Sequence, residues 1–309
     1  MALPAAPLLT RKKVVGAAAE TTKGTSVLAS VTTALASTLT YDAKCSPQGM
    51  VDDGRREPDG LYQGQIVAVP GKRVGQLTFR QELRHGDVLM TLLTACGYKD
   101  ATGYKPVSSI SDQKCLSMKV WEDGRMKAII GAMGDCSIEW THGGRVFANW
   151  TFTGVWQAPT DVAMPATAPV TSVTTLKAAG ATLTVGGAAI GYVGSGRINL
   201  GNSVAMREDI TSASGVIHAV IESRNPTVEL DPEAATVANS DCYGSLLAGT
   251  AGALALVFTD GTATLTVGAP KLQYTDIADS ARGGRLVDAA TFLCAASSGD
   301  DELSFAYSV

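Results

Sequence analysis

The chain repeats itself, and an internal repeat limits the folds open to a sequence more than any other feature. Residues 56–73 (REPDGLYQGQIVAVPGKR) align with 207–224 (REDITSASGVIHAVIESR) at a constant offset of 151, with 7 of 18 positions identical. Residues 120–132 align with 257–269 at an offset of 137, with 5 of 13 identical and Trp121 meeting Phe258. Residues 143–152 align with 283–292 at an offset of 140, with 5 of 10 identical. The three blocks keep their order, and the offset changes only by 14 (151 to 137) and then 3 (137 to 140), the size of loop insertions. The chain therefore reads as two copies of one unit.

At 309 residues each copy is long enough to bury its own core. Between them lies a segment with Pro159, Pro165 and Pro169 and little periodicity, which reads as an extended linker. The expected division is an N-terminal arm over 1–37, a first domain over 38–160, a linker over 161–174 and a second domain over 175–309. The arm is Ala- and Thr-rich, and is expected to order on assembly.

Alternating polar and apolar residues mark strands at 65–69, 76–80, 216–221 and 227–230. Asp123-Gly124 and Asp260-Gly261, each between alternating runs, predict two-residue hairpin turns, because both turn positions favour positive φ. A second hairpin is expected around His142-Gly143-Gly144. A helix is expected over 87–97. Its apolar stripe is Val88, Leu89, Leu92, Leu93 and Cys96, with Asp87 as its cap and Gly97 as its stop. Its counterpart is expected over 231–247, with Pro232 in the first helical turn. The fold class is mainly β: two tandem β-sandwich or half-barrel domains, each with a flanking α-helix. Such units leave sheet edges that invite neighbours.

The composition argues against chemistry. Charged residues are 17% and the formal net charge is −4, so no basic face for tight phosphate binding is expected. The six cysteines show no CxxC and no zinc spacing, and read as small buried apolar residues. His85, His142 and His218 sit in no nucleophile or metal motif. No GxSxG elbow and no P-loop occurs, and Gly194-Ser195-Gly196 lacks the third glycine of a dinucleotide site. Asp52-Asp53-Gly54 and Gly299-Asp300-Asp301-Glu302 read as solvated acidic turns without a calcium ligand ladder. No catalytic, cofactor-binding or metal-binding residue is expected, and the chain is not expected to be an enzyme. Arg11, Lys12 and Lys13 precede an apolar run of only six residues, 14–19, too short for a signal core, and no stretch reaches the length of a membrane helix. The chain is therefore expected to be made in the cytosol and to stay off membranes.

Four arginines recur in the repeat. Arg73 and Arg224 end the same strand, and Arg145 and Arg285 follow the same Gly-Gly turn. They are expected to form inter-domain or inter-subunit ion pairs. Trp121, Trp140, Trp150 and Trp156 cluster in the first copy and read as core or contact anchors.

Several segments together carry a family resemblance. They are Leu92-Leu93-Thr94-Ala95-Cys96-Gly97-Tyr98, Tyr104-Lys105-Pro106, Gly131-Ala132-Met133-Gly134, Phe152-Thr153-Gly154-Val155-Trp156 through Pro159, and Leu200-Gly201-Asn202 through Asp209. In this order the chain resembles the siphophage major tail (tail tube) proteins, over about residues 10–235. The resemblance implies a β-sandwich with a flanking helix and rings of six such domains whose inner sheets join. A duplicated chain would then form a homotrimeric, pseudo-hexameric ring, and the rings would stack. The implied partners are further copies of the chain and other tail proteins (tape measure, tail terminator, distal tail). DNA would cross the lumen without specific binding. The implied location is the virion tail, after assembly in the host cytoplasm. The competing reading is a tandem immunoglobulin-like adhesin or another virion surface protein.

Overall fold

A computed structural model describes residues 8–31, 40–52, 67–84, 89–101, 103–166 and 175–308. In chain order the strands of the first half are β1 (Lys13–Ala19), β2 (Thr40–Gln48), β3 (Val51–Asp52), β4 (Val69–Pro70), β5 (Val74–Glu82), β6 (Tyr98–Ala101), β7 (Gly103–Pro106), β8 (Leu116–Glu122), β9 (Arg125–Thr141) and β10 (Phe147–Asp161). The helix α1 (Leu89–Thr94) lies between β5 and β6. The second half holds β11 (Lys177–Val185), β12 (Ala188–Ala189), β13 (Val193–Asn199), β14 (Asn202–Glu208), β15 (Val216–Arg224) and β16 (Thr227–Pro232). It continues with α2 (Cys242–Ala248), β17 (Ala251–Thr259), β18 (Thr264–Arg282), β19 (Arg285–Ala295) and β20 (Ser304–Ser308). The fold is mainly β, with large antiparallel sheets, as the alternation predicts.

The spine of the molecule is one continuous sheet in the order β12-β11-β17-β18-β19-β16-β13-β9-β10-β5-β2. Pairing registers recur within it at the offsets read from the sequence. Across β5 and β10, Leu77 faces Phe152 and Phe79 faces Trp150. Across β16 and β19, Val228 faces Phe292 and Leu230 faces Ala290. The steps are again 151 on one strand and 140 on the other. β2 on β5 and β13 on β16 agree in the same way, with Cys45 facing Leu77 and Ile198 facing Val228, and each pairing carries a register shift at its N-terminal end. Off the spine, β3 faces β4 with Val51 opposite Pro70, and β14 faces β15 with Val204 opposite Ile221.

One face of the spine is apolar. Leu77, Phe79, Ile138, Trp150, Phe152, Ile198, Val228, Leu230 and Phe292 are buried in one cluster that runs through both halves. Phe79, Trp150 and Phe152 stack with ring centroids 5.8–6.5 Å apart. The strict alternation of β5, buried at Leu77 and Phe79 and only partly at Gln76, Thr78 and Arg80, shows how a period of two sorts side chains between faces.

Four elements differ from the sequence expectation. The first Asp-Gly hairpin has the predicted two-residue turn, with Glu122 facing Arg125 and φ of 45° at Asp123 and 104° at Gly124. The second closes at Thr259–Thr264, so its loop has four residues, and Thr259 Oγ1 and the Asp260 carboxylate hold it through the backbone of Gly261, Thr262 and Ala263. The second helix is shorter than expected. Asp231 and Pro232 finish β16, and α2 begins only after Asp241, whose side chain accepts from Gly244 N at 2.7 Å. Lys13–Ala19, read as part of an arm, is a strand paired with β8 inside the protomer. The β6–β7 hairpin of the first half has no counterpart in the second, and it accounts for the fall in offset from 151 to 137. The C-terminal strand β20 docks on it through Phe305, whose ring meets Tyr98 edge-on at 5.4 Å. The α1 cap predicted at Asp87, the histidine at 85, the start of the strand at 65–69, the Asp53-Gly54 turn and part of the linker lie outside the described residues.

Candidate assembly interface

The two halves meet strand to strand. β13 belongs to the second half, yet it pairs with β16 on one side and with β9 of the first half on the other. In the second pairing Ser195 faces Thr141, Arg197 faces Glu139 and Asn199 faces Ser137. Close approach is built in: a Cβ on Gly196 would lie 2.3 Å from the Trp140 ring, so only glycine lets the indole cover this crossing. His142 N at the tip of the β9–β10 hairpin donates to Gly194 O at 2.6 Å.

The same two kinds of edge occur again, unpaired, at the ends of the protomer. β2 is the counterpart of β13, and among the described residues it pairs only with β5. β18 is the counterpart of β9. Over Ala278–Arg282 it pairs only with β19 among the described residues. Ile138 and Trp140 of β9 are buried under the join, whereas 278–281 of β18 are exposed. An edge strand with open N–H and C=O groups is a template for another strand.

The repeated arginines fall around this geometry. Arg145 Nη1 lies 2.8 Å from Glu82 Oε2, and the Glu82 side chain is 1% exposed. Arg285 Nη1 lies 2.8 Å from Glu233 Oε1, with 23% of the Glu233 side chain exposed. Glu82 and Glu233 are 151 residues apart and Arg145 and Arg285 are 140 apart, so an Arg–Glu pair recurs at the offsets read from the sequence, once inside each half. The hydrogen bond from Arg285 holds the Glu233 carboxyl below its ordinary range. His142, Gly194, Glu233, Arg282 and Arg285 line one cleft, so the second pair sits beside the junction of the halves. Arg224 reaches both halves, donating to Ser108 Oγ at 3.1 Å and pairing with Asp300 and Glu302 of the C-terminal segment. Burial opposes the charge on Arg224, but the two carboxylates outweigh it and raise its pKa. Arg73 is placed by its backbone, whose N–H donates to Ser214 O at 2.9 Å.

The second face of the spine is polar. It carries Lys44, Thr78, Arg80, Asn149, Thr151, Glu139, Arg197, Glu229 and Asp276 from six neighbouring strands and β2. Its charges are partly paired: Arg80 Nη2 lies 2.7 Å from Glu139 Oε1, and Asn199 Nδ2 donates to Glu229 Oε1 at 3.4 Å. Among the described residues no group of three or more His, Cys, Asp or Glu could hold a metal ion. No helix among them is long and apolar enough to cross a membrane. Sequence reasoning anticipated the repeated arginines but missed their carboxylate partners, although the constant offset of 151 joins Glu82 to Glu233.

Residues 10–294 match the family described as phage tail tube protein. No curated protein matches the chain.

Proposed function

We propose, from the premise that the chain belongs to the phage tail tube protein family, that three protomers close a ring by repeating between chains the strand join each makes within itself. The chain is a structural component of a phage tail, and the family is structural. The carrying observation is the β13–β9 pairing, whose two edge types recur on β2 and on the Ala278–Arg282 stretch of β18. β2 pairs antiparallel with β18 of the next protomer. Transfer of the observed register puts Lys44 opposite Ser280 and Ser46 opposite Ala278, as Arg197 lies opposite Glu139 and Asn199 opposite Ser137. Closure pairs the open edge of β2 and the open stretch of β18 at every subunit boundary. Two tube domains per chain, over 38–160 and 175–309, supply the six units that the family resemblance implies.

In this ring the polar face lines the lumen. Its interleaved cations and anions leave no continuous basic stripe, so phosphates find no site at which to stay. DNA passes without specific binding, and no covalent chemistry is required. Arg145 and Glu82 sit beside the free edge, where they meet the neighbour's Gly283-Gly284 turn as Arg285 and Glu233 meet His142. Arg73, Arg145, Arg224 and Arg285 are thus interface supports that act through pairs within their own protomer or through backbone. Other tail proteins meet the ends of the stack, and assembly takes place in the host cytoplasm.

A double variant, Lys44→Cys with Ser280→Cys, tests the join. Oxidised tubes should give, on a non-reducing denaturing gel, a ladder that ends at three chains. A ladder running past three contradicts the ring size, and no inter-chain link in well-formed tubes contradicts the β2–β18 join.

A further inference from the structure

We infer that the C-terminal end of α2 is a docking surface for a second copy of this chain, and that its occupant is the base of that copy's β3–β4 ribbon, at Gly49 and Pro70. The inference rests on the ring proposed above and adds a second contact, away from the sheet edges.

The template is inside the protomer. The ribbon β14–β15 leaves β13 at Asn202 and returns at Arg224, and it lies on the first half. Asn202 Nδ2 donates to Cys96 O at 2.9 Å and to Gly134 O at 3.0 Å, which secures the C-terminal end of α1. Ile221, Ala219, Cys115 and Met133 form a small buried cluster of their own. A Cβ on Gly97 would lie 3.0 Å from Ile221 Cδ1, so ribbon and helix end are in contact. Leu92, Leu93, Ala95 and Cys96 at this helix end are all fully buried, in the main core.

The second copy of this arrangement is incomplete. Gly249 ends α2 in the left-handed region at φ 64°, as Gly97 follows α1 at φ 80°. Aligning the two glycines puts Leu247 where Ala95 stands and Ala248 where Cys96 stands. Yet α2 has no buried residue, and Leu247 is 89% exposed. The ribbon that would cover it by analogy is β3–β4, because Val51 and Pro70 face each other as Val204 and Ile221 do. At the base of that ribbon Gly49 and Pro70 are exposed, whereas their counterparts Asn202 and Ile221 pack at the end of α1 and on its neighbours. Receptor and ligand are therefore both present and both uncovered, at opposite ends of one chain. They come together when β2 of one protomer joins β18 of the next. Apolar area at Leu247 and Pro70 is then removed from water at every subunit boundary.

A photo-reactive benzoylphenylalanine at position 70, in tubes assembled from the full chain, tests this contact. Illumination should link chains, and mass spectrometry should find the link within residues 246–250 of the neighbour. The β2–β18 cysteine pair is examined in the same preparation. If that pair links but the probe at position 70 marks other residues, the docking surface is wrong and the ring stands. If neither links, the ring reading fails and this inference falls with it. As a second measurement, Leu247→Glu changes an exposed side chain, so its melting temperature should match the parent while the concentration needed for tube assembly rises about tenfold or more. Unchanged assembly of Leu247→Glu overturns the proposal.

Discussion

Arg145 and Glu82 form an ion pair of 2.8 Å in which the arginine is largely exposed and the carboxylate is almost fully buried. Tyr41 OH donates to the same Glu82 oxygen at 3.1 Å, tying β2 to the pair. The second copy of the pair, Arg285 with Glu233, is more open and is shared with Arg282 at 3.4 Å. Equivalent residues therefore carry unequal weight, and the asymmetry can be measured.

Arg145→Ala leaves a buried carboxylate whose side-chain partner among the described residues is the Tyr41 phenol. We expect it to destabilise the protomer by about 1–3 kcal/mol, below the full cost of breaking a buried pair because Arg145 itself is solvated. Arg285→Ala should cost less than Arg145→Ala, since Glu233 is more open and Arg282 remains beside it. Chemical denaturation of the two variants gives the comparison, and equal losses would contradict the assigned roles.

Gly196→Ala should damage the junction of the halves. The added methyl group would meet the Trp140 ring at 2.3 Å, inside the core. A loss of about 1–3 kcal/mol is expected from overpacking. Near-ultraviolet circular dichroism should report a changed tryptophan environment. An unaltered spectrum and melting point would mean that the indole has room to move.

Glu122 makes stability depend on acid. Burial pushes its carboxyl up, but hydrogen bonds from Lys127, Arg125 and Lys13 outweigh burial and bring it down to about 2. The folded value lies below the unfolded one of about 4.3. The stabilisation is therefore complete above that pH and is lost as pH falls towards about 2, and solvent screening keeps it below the roughly 3 kcal/mol that the full shift would give. Because Lys13 belongs to β1, β1 should loosen first. Glu122→Gln should be less stable at pH 7 and should lose less stability between pH 4.5 and 2 than the parent. Parallel pH profiles would refute this role.

The cysteines should be largely unreactive in the native protein. Burial pushes the Cys45, Cys115 and Cys294 thiols up to about 12, and those of Cys96 and Cys136 well above their ordinary value. Only Cys242 is partly exposed. A thiol reagent at pH 8 should modify at most this one residue before denaturation and all six after it. Rapid labelling of a second thiol would contradict the packing.

Much of this architecture was legible in the sequence because β structure writes its faces with a period of two and its turns with glycine. The offsets of 151 and 140 between repeat blocks are the steps between paired strands, since a ladder tolerates no slip once one face is buried. The offset of 137 marked the missing β6–β7 hairpin without saying what it was for, because docking of β20 on it is a contact between distant segments. The α2 boundaries were misplaced because Pro232 suits the end of a strand as well as the start of a helix, and the cap at Asp241 carries no apolar stripe behind it. β1 escaped notice because Val14-Val15-Gly16-Ala17 is short and small, and only β8 gives it a reason to be a strand. The β13–β9 join was not legible at all, since it pairs segments more than fifty residues apart with no local signal.

Electron cryo-microscopy of assembled tubes should show threefold rings, with β2 of each chain paired antiparallel to β18 of the next and Lys44 opposite Ser280. Rings of six chains, or tubes in which those two strands stay unpaired, would contradict this closure.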